Sequence, residues 1–234
     1  MEKKEIIFIH IPKTGGVSVS TALKSAGALK RGYGVCHDIA RKIVKKEDRN
    51  CIIMGIVRNP YDRLYSLYEF YRKKRSDIDK HITFESFIIN FEEKYYLVKD
   101  QFNTCYDFLI DRCEGEGEGY EICSAEDPDY IRRKNEMRLA KLLEKRGKLI
   151  PTDIIKFENL QSEYDLFCKK YKIKNCLIEM NKNELKNNDI CWSELYTEEM
   201  QKIVNRIFYK DFETFNYSYS GFLNSKINIQ NNDR

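Results

Sequence analysis

The sequence predicts an α/β protein in which a central parallel sheet lies between two layers of helices, a three-layer α/β/α arrangement. Three observations lead there. Short β-branched runs alternate with segments of helical apolar spacing, the pattern of parallel strands joined by helical crossovers. Two of the runs, Glu5 to Ile11 (EIIFIHI) and Cys51 to Val57 (CIIMGIV), are apolar at almost every position, as strands buried on both faces are. Each run leads through a Pro or Gly signal into a helical segment. Ligands of such folds lie beyond the carboxyl ends of the strands, so function is to be sought at the strand exits.

After the first strand, Ser18 to Leu29 carries Val19, Ala22, Leu23 and Ala26 at helical spacing. Asp38 to Lys46 reads as a short basic helix with Ile39, Ile43 and Val44 on one side. The second strand ends at Arg58-Asn59-Pro60. Pro60 suits the first position of a helix, where a missing N–H costs nothing, and Tyr61 to Lys74 continues with Leu64, Leu67, Tyr68 and Tyr71. Thr83 to Phe91 reads as a further helix capped by Thr83. Glu114 to Asp129, acidic and Gly-rich, is expected as an exposed loop, and Tyr130 to Lys148 as a charged helix. Ile150 to Phe157 reads as a short strand, and Glu158 to Tyr171 as a helix with Leu160, Tyr164, Phe167 and Cys168 on its apolar side. Thr197 to Tyr209 is the last predicted helix, capped by Thr197 and burying Met200, Ile203, Val204 and Ile207. No repeat or linker divides the chain, so residues 1–222 read as one domain and 223–234 as a flexible tail.

Composition excludes several classes. Of the 234 residues 42% are hydrophobic, too many for a disordered chain. Lys and Arg total 41 against 37 Asp and Glu, and the resulting +4 does not indicate a nucleic-acid coat or a polybasic membrane binder. An anion site must therefore be a local arrangement. No apolar run approaches the ~20 residues of a membrane span, and the start MEKKEIIFIHIPK is too short for a signal-peptide core, so a cytoplasmic location is expected. None of the eight cysteines forms a CxxC pair and the three histidines are scattered, so packed, reduced thiols are expected and no metal.

The first strand exit reads Pro12-Lys13-Thr14-Gly15-Gly16-Val17-Ser18. Two glycines allow a tight turn whose successive amides point at one anion, and the following helix adds its dipole. Lys13 supplies positive charge, and Thr14 and Ser18 supply hydroxyls. The lysine precedes the glycines, so this is not the GxxxxGK[ST] loop of the nucleoside-triphosphate enzymes. The plainer alternative is an ordinary strand-to-helix turn with a surface lysine. At the second exit, Arg58 leaves the strand and Ser66 follows in the second turn of the next helix. An arginine fork and a hydroxyl there could clamp a second phosphate. The plainer alternative is that Arg58 pairs with a core carboxylate and Ser66 relieves packing.

Two phosphate-like cradles at neighbouring exits suit a nucleotide phosphorylated at both ends of its sugar. IFIHIPKTGGVSVSTAL followed by IIMGIVRNPYDRLYSLYEF resembles the PAPS-dependent sulfotransferases, in the carbohydrate-type branch of heparan sulfate 2-O-sulfotransferase and its bacterial relatives. TDIIKFENL (Thr152 to Leu160) and MQKIVNRIFYKDFETFNY (Met200 to Tyr217) are also similar to segments of that family. The resemblance implies a P-loop-like sulfotransferase fold. It also implies transfer of a sulfuryl group from 3′-phosphoadenosine 5′-phosphosulfate (PAPS) to an acceptor hydroxyl. Carried over residue by residue, Lys13, Thr14, Gly15, Gly16, Val17 and Ser18 hold the 5′-phosphosulfate, and Arg58 with Ser66 the 3′-phosphate. The acceptor it implies is a saccharide, with a small-molecule natural product as the alternative. A P-loop-type kinase and a non-catalytic nucleotide-binding protein stay open as different classes; no nucleic-acid partner and no membrane span is expected.

Sulfuryl transfer needs a base for the acceptor hydroxyl and a cation at the leaving phosphate. His37 lies in GVCHDIARKI, where the bacterial relatives show a His-x-x-Ala segment, and is the choice for general base, the plainer alternative being a helix-capping or surface histidine; Asp38 and Glu69 are the next candidates. Lys13 is the choice for the leaving-group cation. His10, inside the first strand, reads as a core histidine. Gln101-Phe102-Asn103 lies in a region that relatives place near the acceptor, Asn181-Lys182 resembles a late family segment, and Arg132-Arg133-Lys134 could meet an acidic acceptor. Tyr65, Tyr68 and Tyr71 read as core packing rather than stacking platforms.

Overall fold

The computed structural model describes residues 5–30, 37, 39–45, 48, 50–74, 80–96, 103–109, 148–174 and 192–219. The expected Glu114–Asp129 loop, nearly all of the Tyr130–Lys148 helix, Gln101, Phe102, Arg132 to Lys134, Asn181, Lys182, Asp38 and the 223–234 tail lie outside them.

Three parallel strands form the sheet, in the order β1 (Ile6–Ile9), β2 (Ile52–Val57) and β3 (Asp153–Lys156). Ile6 pairs with Ile52 and Met54 with Asp153, so the central strand is the second in sequence. Each strand is shorter than its apolar run, because β1 gives way to the Pro12–Gly15 turn and β3 to a 3-10 turn at Phe157–Asn159.

Alternation sorts the strand residues onto two helical layers. Ile6, Phe8, Ile52, Met54 and Ile56 pack with Val19, Ala22 and Leu23 of α1 (Gly16–Ser25) and with Tyr164, Phe167 and Cys168 of the helix Leu160–Tyr171. Ile7, Ile9, Ile53 and Val57 face the other way. Their partners come from α3 (Pro60–Lys74), α4 (Phe84–Ile89), α5 (Cys105–Leu109) and two late helices, Glu198–Ile207 and Tyr209–Phe215. In chain order Leu160–Tyr171 is α6, Glu198–Ile207 is α7 and Tyr209–Phe215 is α8. Ile6, Ile7 and Ile9 are wholly buried, each stabilising the fold by roughly 1.5–3 kcal/mol relative to exposure.

Local signals set the helix ends. Thr83 accepts from the Ser86 amide and Thr197 from the Met200 amide, as capping residues do, each contributing about 1 kcal/mol. Helix α1 begins two residues before Ser18 and ends at Ser25, where Gly27 takes positive φ. The basic segment after His37 forms only a single turn, α2 (Ala40–Ile43). The predicted Thr197–Tyr209 helix is in fact two: the ladder breaks at Phe208 and α8 follows. Helix α5 was not predicted; Thr104 and Asp107 cap each other through their backbone amides at its start, and the buried Asp211 of α8 accepts from the Cys105 and Tyr106 amides. Among the described residues no helix is long and apolar enough to cross a membrane.

Candidate functional site

The carboxyl ends of all three strands meet at one place. The first loop turns through Lys13 (φ 65°) and Gly15 (φ 79°), the left-handed region in which glycine is least strained. A Cβ on Gly15 would also lie 3.0 Å from Phe157 and from Leu160, so the third strand exit closes down on the first. At Gly16 the constraint is contact rather than angle: a Cβ there would come 2.1 Å from Cδ2 of His10. The His10 ring therefore lies against the first residue of α1. Thr14 is buried, and its hydroxyl donates to the Ile11 carbonyl at 3.0 Å, closing the turn from within. A ligand can thus draw on the Thr14 amide but competes for its hydroxyl proton. Ser18 is buried in the first turn of α1, while Val17 is 46% exposed. Gly15, the N-cap residue of α1, has no side chain to cap the helix, and no acidic residue lies in its first turn, so the amino end keeps the positive character of a helix start.

At the second exit, Arg58 makes a two-pronged pair with Asp62, from Nε at 2.7 Å and Nη2 at 2.8 Å. Its Nη1 donates to the Lys13 carbonyl at 2.8 Å, and its plane lies over the Phe157 ring, 4.1 Å from the centroid. The plainer alternative for Arg58, a carboxylate partner, is thus present. The pairing leaves two of the five guanidinium N–H donors outside these bonds. Ser66 is buried on α3, and no hydrogen bond joins it to Arg58 among the described residues. Asp62, Ser66 and Phe70 are spaced four apart on α3 and so share one face. Arg58 holds one end of that face at Asp62, and the Lys13 ammonium lies 4.4 Å from the Phe70 ring centroid at the other. Ser66 lies on that face between Asp62 and Phe70.

The third exit ties the second in place. Glu158 accepts from the Asn59 amide at 2.6 Å and, through its other oxygen, from the Tyr217 hydroxyl at 3.0 Å. Burial, then the Glu158 charge, pushes the Tyr217 phenol far above its ordinary range, so it stays a donor. The role of Glu158 and Tyr217 as struts was not assigned from sequence, although both fall in the segments that carried the family resemblance.

His37 is exposed and lies at the first exit. Its Nδ1 is 3.0 Å from the His10 carbonyl, which can only accept, so Nδ1 carries a proton and, in the neutral ring, Nε2 holds the lone pair. The His10 and His37 rings tilt together with centroids 4.5 Å apart. His10 is itself buried, 5.7 Å from the Phe8 ring, as expected of a core histidine. Glu69, an alternative base, is ion-paired to Arg72 and Lys73. Burial pushes its carboxyl up, but the hydrogen bonds from Lys73 and Arg72 outweigh it, and a carboxyl held below its usual range is a weaker base.

Tyr68 and Tyr71 are core residues and Tyr65 is partly buried against them, in line with the packing role expected. Of the described cysteines, Cys105 and Cys168 are buried and Cys51 half-buried, and burial pushes the Cys105 thiol up to about 12. Cys105 is therefore no nucleophile near neutrality. No family model matches the chain, and no curated protein matches it.

Proposed function

We propose that the chain is a PAPS-dependent sulfotransferase with a P-loop-like fold, acting on a hydroxyl of a saccharide or of a small-molecule natural product. The observation that carries this reading is the α3 face Asp62–Ser66–Phe70, bracketed by Arg58 and Lys13 and adjoining the uncapped start of α1. Two cationic cradles next to each other fit a nucleotide with phosphates at both the 3′ and 5′ positions. The residues fit the donor's charge: an uncapped helix start without acidic neighbours at one exit, and two further guanidinium donors at the other.

When bound, the donor supplies the sulfuryl group. The amides of Thr14 to Ser18 and the Lys13 ammonium hold its 5′ end, and Arg58 with Ser66 its 3′-phosphate. Nε2 of His37 takes the acceptor's hydroxyl proton, while the bond from Nδ1 to the His10 carbonyl keeps that lone pair turned outward. Lys13 offsets the negative charge that grows on the leaving phosphate. His10 holds both the His37 ring and the backbone at Gly16, which sets the base and the cradle at a fixed spacing.

Thermal unfolding with nucleotides tests the reading. Adenosine 3′,5′-bisphosphate should raise the midpoint, because a ligand of the folded state alone stabilises it, and ATP should raise it much less. Equal stabilisation by both argues for a kinase-like protein instead. A screen of acceptors with radiolabelled donor then identifies the acceptor class.

A further inference from the structure

Arg63 is wholly buried, yet among the described residues no carboxylate lies within ion-pair distance of it. Its Nε donates to the Pro12 carbonyl at 3.0 Å and its Nη1 to the Asn103 carbonyl at 2.8 Å, while Nη2 is buried without a hydrogen-bond partner. A buried charge with an unsatisfied N–H lowers stability, and an apolar side chain of similar size would fill the space at less cost. What the guanidinium does that an apolar chain cannot is to hold two carbonyls at once. One belongs to the first loop, immediately before Lys13. The other lies at the approach to α5, whose first amides are in turn fixed by the buried Asp211.

We infer that Arg63 is a positioning residue: its planar fork locks the first loop to the α5 approach, so that the anion cradle and the Asn103 segment keep one spacing. Lysine cannot replace it, because a single ammonium on a flexible stem lacks the rigid fork that spans two fixed acceptors. The use of that spacing, to hold donor against acceptor, rests on the sulfotransferase reading; the lock itself does not. A misplacement of about 1 Å in such a site is enough to cost on the order of 100-fold in rate.

The test uses the full chain as Arg63→Lys and Arg63→Met, with Phe167→Ala, on the opposite face of the sheet, as a control for general destabilisation. Hydrogen exchange on the ligand-free proteins reads the lock. Both Arg63 variants should exchange at least ~10-fold faster at Lys13–Ser18 and Thr104–Leu109 together, and the control should not favour those segments. Transfer kinetics read its use: Arg63→Lys should lose roughly 10–100-fold in kcat with KM for the donor within about 3-fold. If Arg63→Met does not fold, Arg63→Lys still decides both points. Unchanged exchange at the two segments, or acceleration spread over the whole chain as in the control, overturns the lock. Faster exchange at both segments with an unchanged kcat overturns its role in transfer. If the unmodified protein neither binds adenosine 3′,5′-bisphosphate nor transfers sulfate, the sulfotransferase reading falls, and the exchange experiment alone judges Arg63.

Discussion

At the amino end of the sheet the charges cancel locally. Lys30 donates to the buried Asp48 and lies 3.9 Å from Glu5, and Asp153 accepts from Lys170 and from the Tyr171 hydroxyl, each at 2.6 Å. At the carboxyl end the two guanidinium groups differ: Arg58 gives two bonds to the Asp62 carboxylate and one to the Lys13 carbonyl, whereas Arg63 gives its bonds only to the carbonyls of Pro12 and Asn103. A carbonyl orients a cation without neutralising it. The amino end thus holds its charges in ion pairs, and at the carboxyl end the buried Arg63 charge is oriented by carbonyls alone.

Variants at the two ends should therefore separate stability from activity. The largest effects belong to the carboxyl end. His37→Ala should lower sulfuryl transfer by roughly 10²–10⁴-fold, while adenosine 3′,5′-bisphosphate still binds. Lys13→Ala should cost about 2.7–4 kcal/mol in the transition state, seen as a loss in kcat as well as in affinity. A Lys13→Ala enzyme with only a raised KM would place the leaving-group charge elsewhere.

Lys30→Met at the amino end should act in the opposite sense. It strips the buried Asp48 of its ammonium and should cost about 3 kcal/mol in denaturant unfolding, with kcat per folded molecule unchanged. Arg58→Ala comes next: it should weaken binding of adenosine 3′,5′-bisphosphate by about 10-fold or more in calorimetry, with kcat at saturating donor nearly kept. Equal losses in kcat and affinity would mean that Arg58 acts mainly by holding the Lys13 carbonyl.

Asp153→Asn should give the smallest effect. Burial pushes the Asp153 carboxyl up, but hydrogen bonds from Lys170 and Tyr171 outweigh it and the net shift is downward. A lowered folded-state value means that the pairing stabilises above the unfolded carboxyl range and that this is lost as pH falls through the folded value. Lys170 is largely exposed, so solvent screening keeps the gain to roughly 0.5–1 kcal/mol. The gap in melting temperature between Asp153→Asn and the unmodified protein should therefore be small at neutral pH and close in acid. A gap of the same size at both pH values would assign it to packing.

The elements that could be read in advance were those with a long period or a chemical marker. EIIFIHI and CIIMGIV gave themselves away by apolar density, Pro60 marked the start of α3, and Thr83 and Thr197 marked caps that the structure contains. Helix α5 has five residues, too few to show a period, and depends on Asp211, which is 106 positions from Cys105. The break at Phe208 has no Gly or Pro to announce it. In the site, Gly15 and Gly16 pointed to a tight turn, but the reason for Gly16 is the His10 ring, a contact that spacing cannot reveal. The carboxylate expected as the alternative partner of Arg58 is one in the core; the actual partner is its own i,i+4 neighbour Asp62, a spacing visible in RNPYD.

The link from Asn59 through Glu158 to Tyr217 has a consequence for how the chain is made. The Asn59 amide waits for an acceptor 99 positions downstream, and that acceptor waits a further 59 for its second donor. Contacts so distant in sequence form late, since the loop-closure entropy must be met before any of them stabilises the chain. A polypeptide still on the ribosome can pair β1 with β2, yet cannot complete the link between the second and third strand exits until the segment around Tyr217 has emerged. Translation should therefore release the chain in an order that leaves ligand affinity to the last, and refolding monitored by nucleotide capture should lag behind refolding monitored by helix content.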